Sequence, residues 1–386
     1  MVIQEMEEHR IVSVIEKFRE VLENRHQCAR DWKERTGGKV IGWLCTYSPV
    51  EIMYAAGMLP VRILGTHEVQ DVTDRYLFPT VCPFSRDALA QGLKGRYDYL
   101  DGLTMARTCS HVQGTFDNWK NYVPTPFVYY IWFPCHVRSS RAKPCLTAEF
   151  VDFKQALEKL TGKSISRDDL DRAIELYNTN RKLTKQVYEF RKSDEPPITG
   201  AEAMEMVVAS QLMDVAEHNK LLEQLLEELP NRKLDRDPGL RLMMVGSEMD
   251  DIVFVRMLEE LGCTVVIDEH CTGSRYFWDE VTPEEDSLAA IADRYVTRWP
   301  CPAIGGDLED RPNLVLQHAL DWNVGGALLY QQKFCDPHEF DIPVLQKMFK
   351  EHDIPTLVLE FDVTIPFGQF RTRIEAFLEM AEIEVF

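Results

Sequence analysis

A chain of 386 residues is longer than one ordinary hydrophobic core organises and points to two domains. Hydrophobic residues at 45% and charged residues at 27% are the balance of a folded globular protein and exclude wholesale disorder. A net charge of −20 excludes a surface built for nucleic acid, whose phosphates need clustered Lys and Arg, although it leaves room for a single basic pocket.

The segment Met1 to Arg10 carries Glu5, Glu7 and Glu8 and lacks an apolar core behind a basic start, so no secretory signal is expected. No apolar run approaches the roughly 20 residues that cross a bilayer, and the expectation is a cytoplasmic protein without membrane association. Lys39 to Leu44 reads as a strand, followed by a turn in which Ser48, Pro49 and Glu51 form a capping box for the next helix. Further strands fit residues 59–64, 100–105 and 127–133, with helices over 84–94 and 112–122, the pattern of a parallel sheet wrapped by helices. Long amphipathic helices follow. Ser166 with Asp169 makes an N-cap ahead of Leu170, Ile174 and Tyr177, Pro196 and Pro197 break the run, and one helix is predicted over 201–229. After a linker containing Pro238 and Gly239, strands fit 241–245, 264–268, 326–330 and 356–359. The expected architecture is α/β: two Rossmann-like (flavodoxin-like) parallel-sheet domains, 1–146 and 239–386, joined by a helical connector, 147–238.

Ten cysteines in such a chain read as thiols or metal ligands before they read as disulfides. Open parallel sheets bind ligands beyond the carboxyl ends of their strands. Cys45, Cys109, Cys135, Cys271 and Cys335 each follow a strand, and Cys82 sits before Pro83 at a helix start. Cys28, Cys145 and Cys263 fall elsewhere. Cys82, Cys109 and Cys335 all precede helices, whose N-termini favour thiolates and offer N–H groups to cluster sulfurs. Their long separations exclude a compact C-x-x-C zinc or ferredoxin pattern, so on spacing alone a soft-metal site and ordinary buried thiols both stay open. Glu51 and His338, near strand-edge loops, are candidates for proton transfer, the first also explained by its cap and the second by a solvent-facing helix start. Glu360, Asp362 and Gln369 are candidates for a pocket wall, and Arg86, Arg107, Arg138, Arg141 and Arg275 for phosphate contacts. Residues 129–132 read as core.

The sequence resembles the 2-hydroxyacyl-CoA dehydratase and benzoyl-CoA reductase family almost end to end. The resemblance is carried by Ile41-Gly42-Trp43-Leu44-Cys45-Thr46-Tyr47-Ser48-Pro49-Val50-Glu51, by Cys82-Pro83-Phe84-Ser85-Arg86, by Thr108-Cys109-Ser110, by Phe334-Cys335-Asp336-Pro337-His338, and by Arg371-Thr372-Arg373-Ile374-Glu375. Gly246 to Asp251 and Cys271 to Phe277 look most like benzoyl-CoA reductase, in its smaller cluster-bearing subunit. The resemblance implies a cluster held by Cys82, Cys109 and Cys335 in a cleft between the sheets, either a 4Fe-4S cluster or a double-cubane cluster. The latter needs further ligands, with Cys45 and Cys135 first in line. It places Glu51 close to substrate. It also implies a related cluster-bearing subunit, an ATP-hydrolysing iron-sulfur activator, ferredoxin as electron source and an aromatic acyl-CoA substrate. No G-x-x-x-x-G-K-S/T loop is present, so nucleotide chemistry is expected in a separate subunit. A 2-hydroxyacyl-CoA dehydratase, a double-cubane reductase and a scaffold half whose sister alone binds substrate are the alternatives.

Overall fold

The computed structural model describes residues 13–304 and 310–384. Two helices, α1 (Val14–Glu23) and α2 (Arg25–Thr36), lead into β1 (Lys39–Trp43), α3 (Val50–Ala55), β2 (Met58–Arg62), α4 (Pro83–Leu93), β3 (Gly102–Ala106), α5 (Ser110–Tyr122) and β4 (Val128–Ile131). Four helices follow: α6 (Ala142–Thr161), α7 (Arg167–Phe190), α8 (Gly200–Ala209) and α9 (Val215–Glu228). The chain continues through β5 (Leu240–Gly246), α10 (Ile252–Glu260), β6 (Cys263–Glu269), α11 (Ser274–Phe277), α12 (Ser287–Thr297), α13 (Asp310–Asp321), β7 (Gly326–Gln332), α14 (Asp336–Lys350), β8 (Thr356–Phe361) and α15 (Phe367–Glu384).

The strands form two four-stranded sheets in the orders β2-β1-β3-β4 and β6-β5-β7-β8, parallel throughout. Each sheet therefore reverses its winding once, between β1 and β3 and between β5 and β7. Loops leaving those neighbouring strands part in opposite directions and open a crevice at the carboxyl edge. Strand side chains alternate between two apolar clusters: Ile41 and Trp43 belong to one, Val40 and Leu44 to the other, and Met243 and Val245 part from Leu242 and Met244 in the same way. Each cluster draws on both sheets.

The helical connector differs from its prediction in one place. The Ser166 and Asp169 capping box on α7 forms as read, but the single helix expected over 201–229 is two. α8 ends at Ala209, and Asp214 starts α9 by accepting from the N–H groups of Ala216 and Glu217. The interruption has a tertiary cause. Gln211 leaves the helix to accept the Arg62 backbone N–H at 2.9 Å, while its side chain donates to Thr272 O at 2.9 Å. Helical periodicity continued across this stretch, and tertiary bonding overrode it.

The predicted capping box at Ser48 is absent. α3 begins at Val50 with Pro49 as N-cap and no side-chain cap, and the Ser48 hydroxyl, though buried, has no partner. Glu51 is drawn instead into the packing between α3 and α7, where it forms an ion pair with Arg181 and accepts from the Tyr295 hydroxyl at 3.1 Å. A buried guanidinium outbids a helix N–H for the carboxylate because the charge pair is the stronger bond.

Candidate functional site: a buried cavity walled by cysteines

Three helix starts define one side of the site. Cys82, Cys109 and Cys335 are the N-cap residues of α4, α5 and α14. Pro83 and Pro337 sit in the first turns of α4 and α14, where a missing N–H costs nothing. The N–H three residues on, from Ser85, Val112 and His338, leans toward each sulfur and opposes the rise in its pKa, without closing a full capping hydrogen bond. Burial nevertheless pushes all three thiols up, and the sulfurs of Cys82 and Cys109 act on one another and on Cys335. The three residues that the sequence singled out thus meet in space.

They line a cavity of about 80 Å³ together with Cys45, Cys271 and Cys301. The wall is built from the carboxyl ends of β1, β3, β5 and β7, through Leu44 to Thr46, Thr108, Ser247 with Glu248, and Gln332. These are the four strands that flank the two winding reversals, so the crevices of both sheets face one space. Arg275 donates toward Cys301 Sγ at 3.7 Å and also bonds Gly246 O. Gly246 has to be glycine there, since a Cβ would lie 2.3 Å from Tyr330 O. The Cys301 thiol is pushed up to about 11 by burial, with Arg275 opposing and Cys271 and Cys45 adding to the rise. Among the described residues, no three His, Cys, Asp or Glu side chains are arranged to hold one metal ion. The sulfurs surround a space instead of converging on a point.

His338 lies in this wall, 4% exposed, so the solvent-facing reading of that helix start is corrected. Burial, reinforced by Arg275 and Arg311, holds its imidazole far below the usual range and neutral. Glu51 is outside the wall. Burial would raise its pKa, but Arg181 and Arg294 outweigh that and keep it ionised. Cys135, first in line for an additional ligand, is exposed and does not reach the cavity. Cys301 lines the cavity where Cys135 does not. It follows Pro300 in a loop after α12, where reading from strand ends gave no signal.

Of the other candidates, Glu360 and Gln369 are exposed, and Asp362 accepts from Arg86 at 3.1 Å and Lys333 at 3.4 Å outside the wall. Arg138 pairs with Asp310 away from the cavity, and Arg275 is committed to Glu269. Trp132, read as core, is 64% exposed. Two wall residues were given no role by the sequence, although Glu248 lies in the segment Gly246 to Asp251 that carried part of the resemblance. Arg62, inside the apolar run of β2, and Glu248, after β5, both turn into the cavity wall. Burial drives the Glu248 carboxyl well above its ordinary range, with Asp250 adding to the rise, and its Oε1 has no partner.

A family model described as 2-hydroxyglutaryl-CoA dehydratase, D-component, matches residues 45–381 of this chain. The chain is 27% identical to the (R)-phenyllactyl-CoA dehydratase beta subunit of Clostridium sporogenes, over 94% of this chain and 97% of that one. It is also 27% identical to a benzoyl-CoA reductase subunit of Thauera aromatica, over 86% and 88% respectively. A third relative, the lactoyl-CoA dehydratase beta subunit of Anaerotignum propionicum, is 24% identical over 96% of this chain and 99% of its own.

Proposed function

The chain belongs to the 2-hydroxyglutaryl-CoA dehydratase D-component family, and from that premise we propose that it is an iron-sulfur subunit of a heteromeric enzyme that reduces aromatic acyl-CoA thioesters. The observation that carries the reading is the meeting of Cys82, Cys109 and Cys335, each at a helix start, in one buried cavity. The donor set fits such a group. Thiolates are the ligands of iron-sulfur clusters, and sulfurs spread around a space suit the separate corners of a multi-iron centre better than a single ion. When bound, such a cluster supplies single electrons of low potential.

The chain's own residues prepare the place. The first-turn N–H groups of α4, α5 and α14 orient the sulfurs and favour their deprotonated form. Leu44, Phe84 and Val112 give the wall its apolar part and keep water out. His338, neutral, offers one ring N–H and one lone pair at the wall, so it can donate a hydrogen bond from one ring nitrogen and take up a proton at the other. Glu51, ion-paired behind the wall, acts in this reading by holding α3 against α7. The partners in this reading are a related subunit, as the subunit names of the relatives suggest, which carries a cluster of its own, together with an ATP-hydrolysing activator and ferredoxin.

Two observations each favour a second reading. Equal identity to a dehydratase subunit supports removal of water from a 2-hydroxyacyl-CoA, a redox-neutral reaction in which the electron is recovered. Six cysteines around one cavity support a double-cubane centre with Cys45, Cys271 and Cys301 as the second ligand set. Two measurements on the anaerobic complex separate these. Reduction consumes ATP in proportion to product, whereas dehydration runs for many turnovers per ATP. A single cubane gives about four irons per chain, and a double cubane about twice that. A wild-type chain that binds no iron after reconstitution would overturn the reading.

A further inference from the structure

The cavity wall carries a buried cation that no carboxylate among the described residues contacts, Glu248 and Asp250 acting on it only from beyond ion-pair distance. Arg62 ends β2 and is 1% exposed. Its Nη1 donates to Gln211 Oε1 at 2.6 Å and to Cys271 O at 2.7 Å, its guanidinium lies 5.2 Å from the Trp43 ring centroid, and its Nε has no partner. Other buried guanidiniums are matched: Arg181 by Glu51, Arg191 by Asp268, Arg275 and Arg311 by Glu269. Arg294 and Arg298 also lack a carboxylate, but neither lines the cavity. Arg62 does line it, and among the described residues no carboxylate lies within ion-pair distance, Glu248 of the same wall included.

A cation out of water and without a counter-charge is strongly unfavourable unless an anion arrives to meet it. The same cavity is walled by thiols whose deprotonation brings negative charge, and a thiolate-bound centre becomes more negative with each electron it accepts. We infer that Arg62 is the charge-compensating residue of this cavity, a positioned cation that stabilises the reduced form of a thiolate-bound centre and so raises its reduction potential. The inference rests on the cluster reading above. Arginine suits the task because it stays charged when buried and its planar fork is fixed here at three points: Gln211, Cys271 O and the Trp43 face. The backbone is pinned as well, through the Arg62 N–H to Gln211 O at 2.9 Å.

The test compares Arg62→Gln, which removes the charge, with Arg62→Lys, which keeps it while losing the fork. Each full-length variant is purified anaerobically with its partner subunit, its iron is counted, and its midpoint potential is taken by redox titration of the paramagnetic signal. Arg62→Lys is expected to keep wild-type iron and a potential near wild type. Arg62→Gln is expected to shift the midpoint downward by at least a tenfold change in the reduction equilibrium, about 59 mV for one electron. A wild-type midpoint in the Gln variant, or equal shifts in both, would overturn the inference, the latter because lost hydrogen bonds and not lost charge would then be responsible. Should Arg62→Gln fail to fold, Arg62→Met, which also removes the charge, takes its place and is judged against Arg62→Lys by the same outcomes. An iron-free wild-type chain would remove the cluster reading and this inference together, whereas iron-loaded wild type beside an indifferent Gln variant removes the inference only.

Discussion

Replacing Glu51 by Gln would leave the buried guanidinium of Arg181 without its counter-charge, and that loss decides what the substitution does. Breaking a buried pair from one side costs about 3–5 kcal/mol, because the remaining charge stays out of water. Glu51→Gln should therefore lower unfolding free energy in urea by that order. Iron bound per folded chain should be unchanged, since Glu51 is outside the cavity wall. The pair also has a pH signature. Its carboxyl is held below the ordinary range, so its stabilisation is present above that range and lost as pH falls through the folded-state value. A variant of wild-type stability with greatly reduced turnover would return Glu51 to proton transfer. The cysteines make a sharper contrast at the same scale. On the proposed cluster reading, Cys82→Ser, Cys109→Ser and Cys335→Ser should each lower or alter the bound iron, while Cys28→Ser, Cys145→Ser and Cys263→Ser should leave iron and spectrum nearly unaltered. Full iron in any of the first three would strike that residue from the ligand set.

At the scale of elements, what could be read from the sequence was what local chemistry decides. All eight strands followed from apolar runs, and the helix starts followed from strand ends at Cys109 and Cys335 and from prolines that a first turn tolerates after Cys82 and Cys335. What could not be read was decided from far away. The break between α8 and α9 depends on Gln211 meeting Arg62 and Thr272, and the lost cap at Ser48 depends on Arg181 from α7. Arg62 and Cys301 were not marked as wall residues for the same reason, and Glu248, inside the segment Gly246 to Asp251 that carried part of the resemblance, was given no role, since each reaches the cavity through the meeting of two sheets. The break itself is testable. Asp214 satisfies two N–H groups of α9, so Asp214→Ala should cost about 1 kcal/mol in unfolding free energy. A neutral substitution would mean that tertiary packing alone fixes the start of α9.

Over the whole molecule, several histidines are buried so deeply that acid should unfold the chain well before its carboxylates are all protonated. His218 in α9 accepts at Nδ1 from Asn180 at 2.7 Å and donates from Nε2 to Met206 O at 2.9 Å. That arrangement requires the neutral ring, and burial lowers its pKa to about 4. His318 in α13 stands among the rings of Trp278, Trp299 and Trp322 and is lowered to about 4 by burial as well. An unfolded histidine takes its proton near pH 6.5, while these take it only near 4. Between those values the unfolded chain binds more protons, so stability must fall as pH drops through the window, by on the order of 2–3 kcal/mol for each such ring. Urea midpoints measured at about pH 7 and about pH 5 should therefore differ in the wild type. They should differ less in His218→Gln, whose amide can accept from Asn180 and donate to Met206 without titrating. The two groups lie in separate helices, α9 and α13, so the remaining slope in that variant should be visible and should shrink again when His318→Gln is added. Identical slopes in wild type and double variant would show that these rings are not neutral in the folded chain.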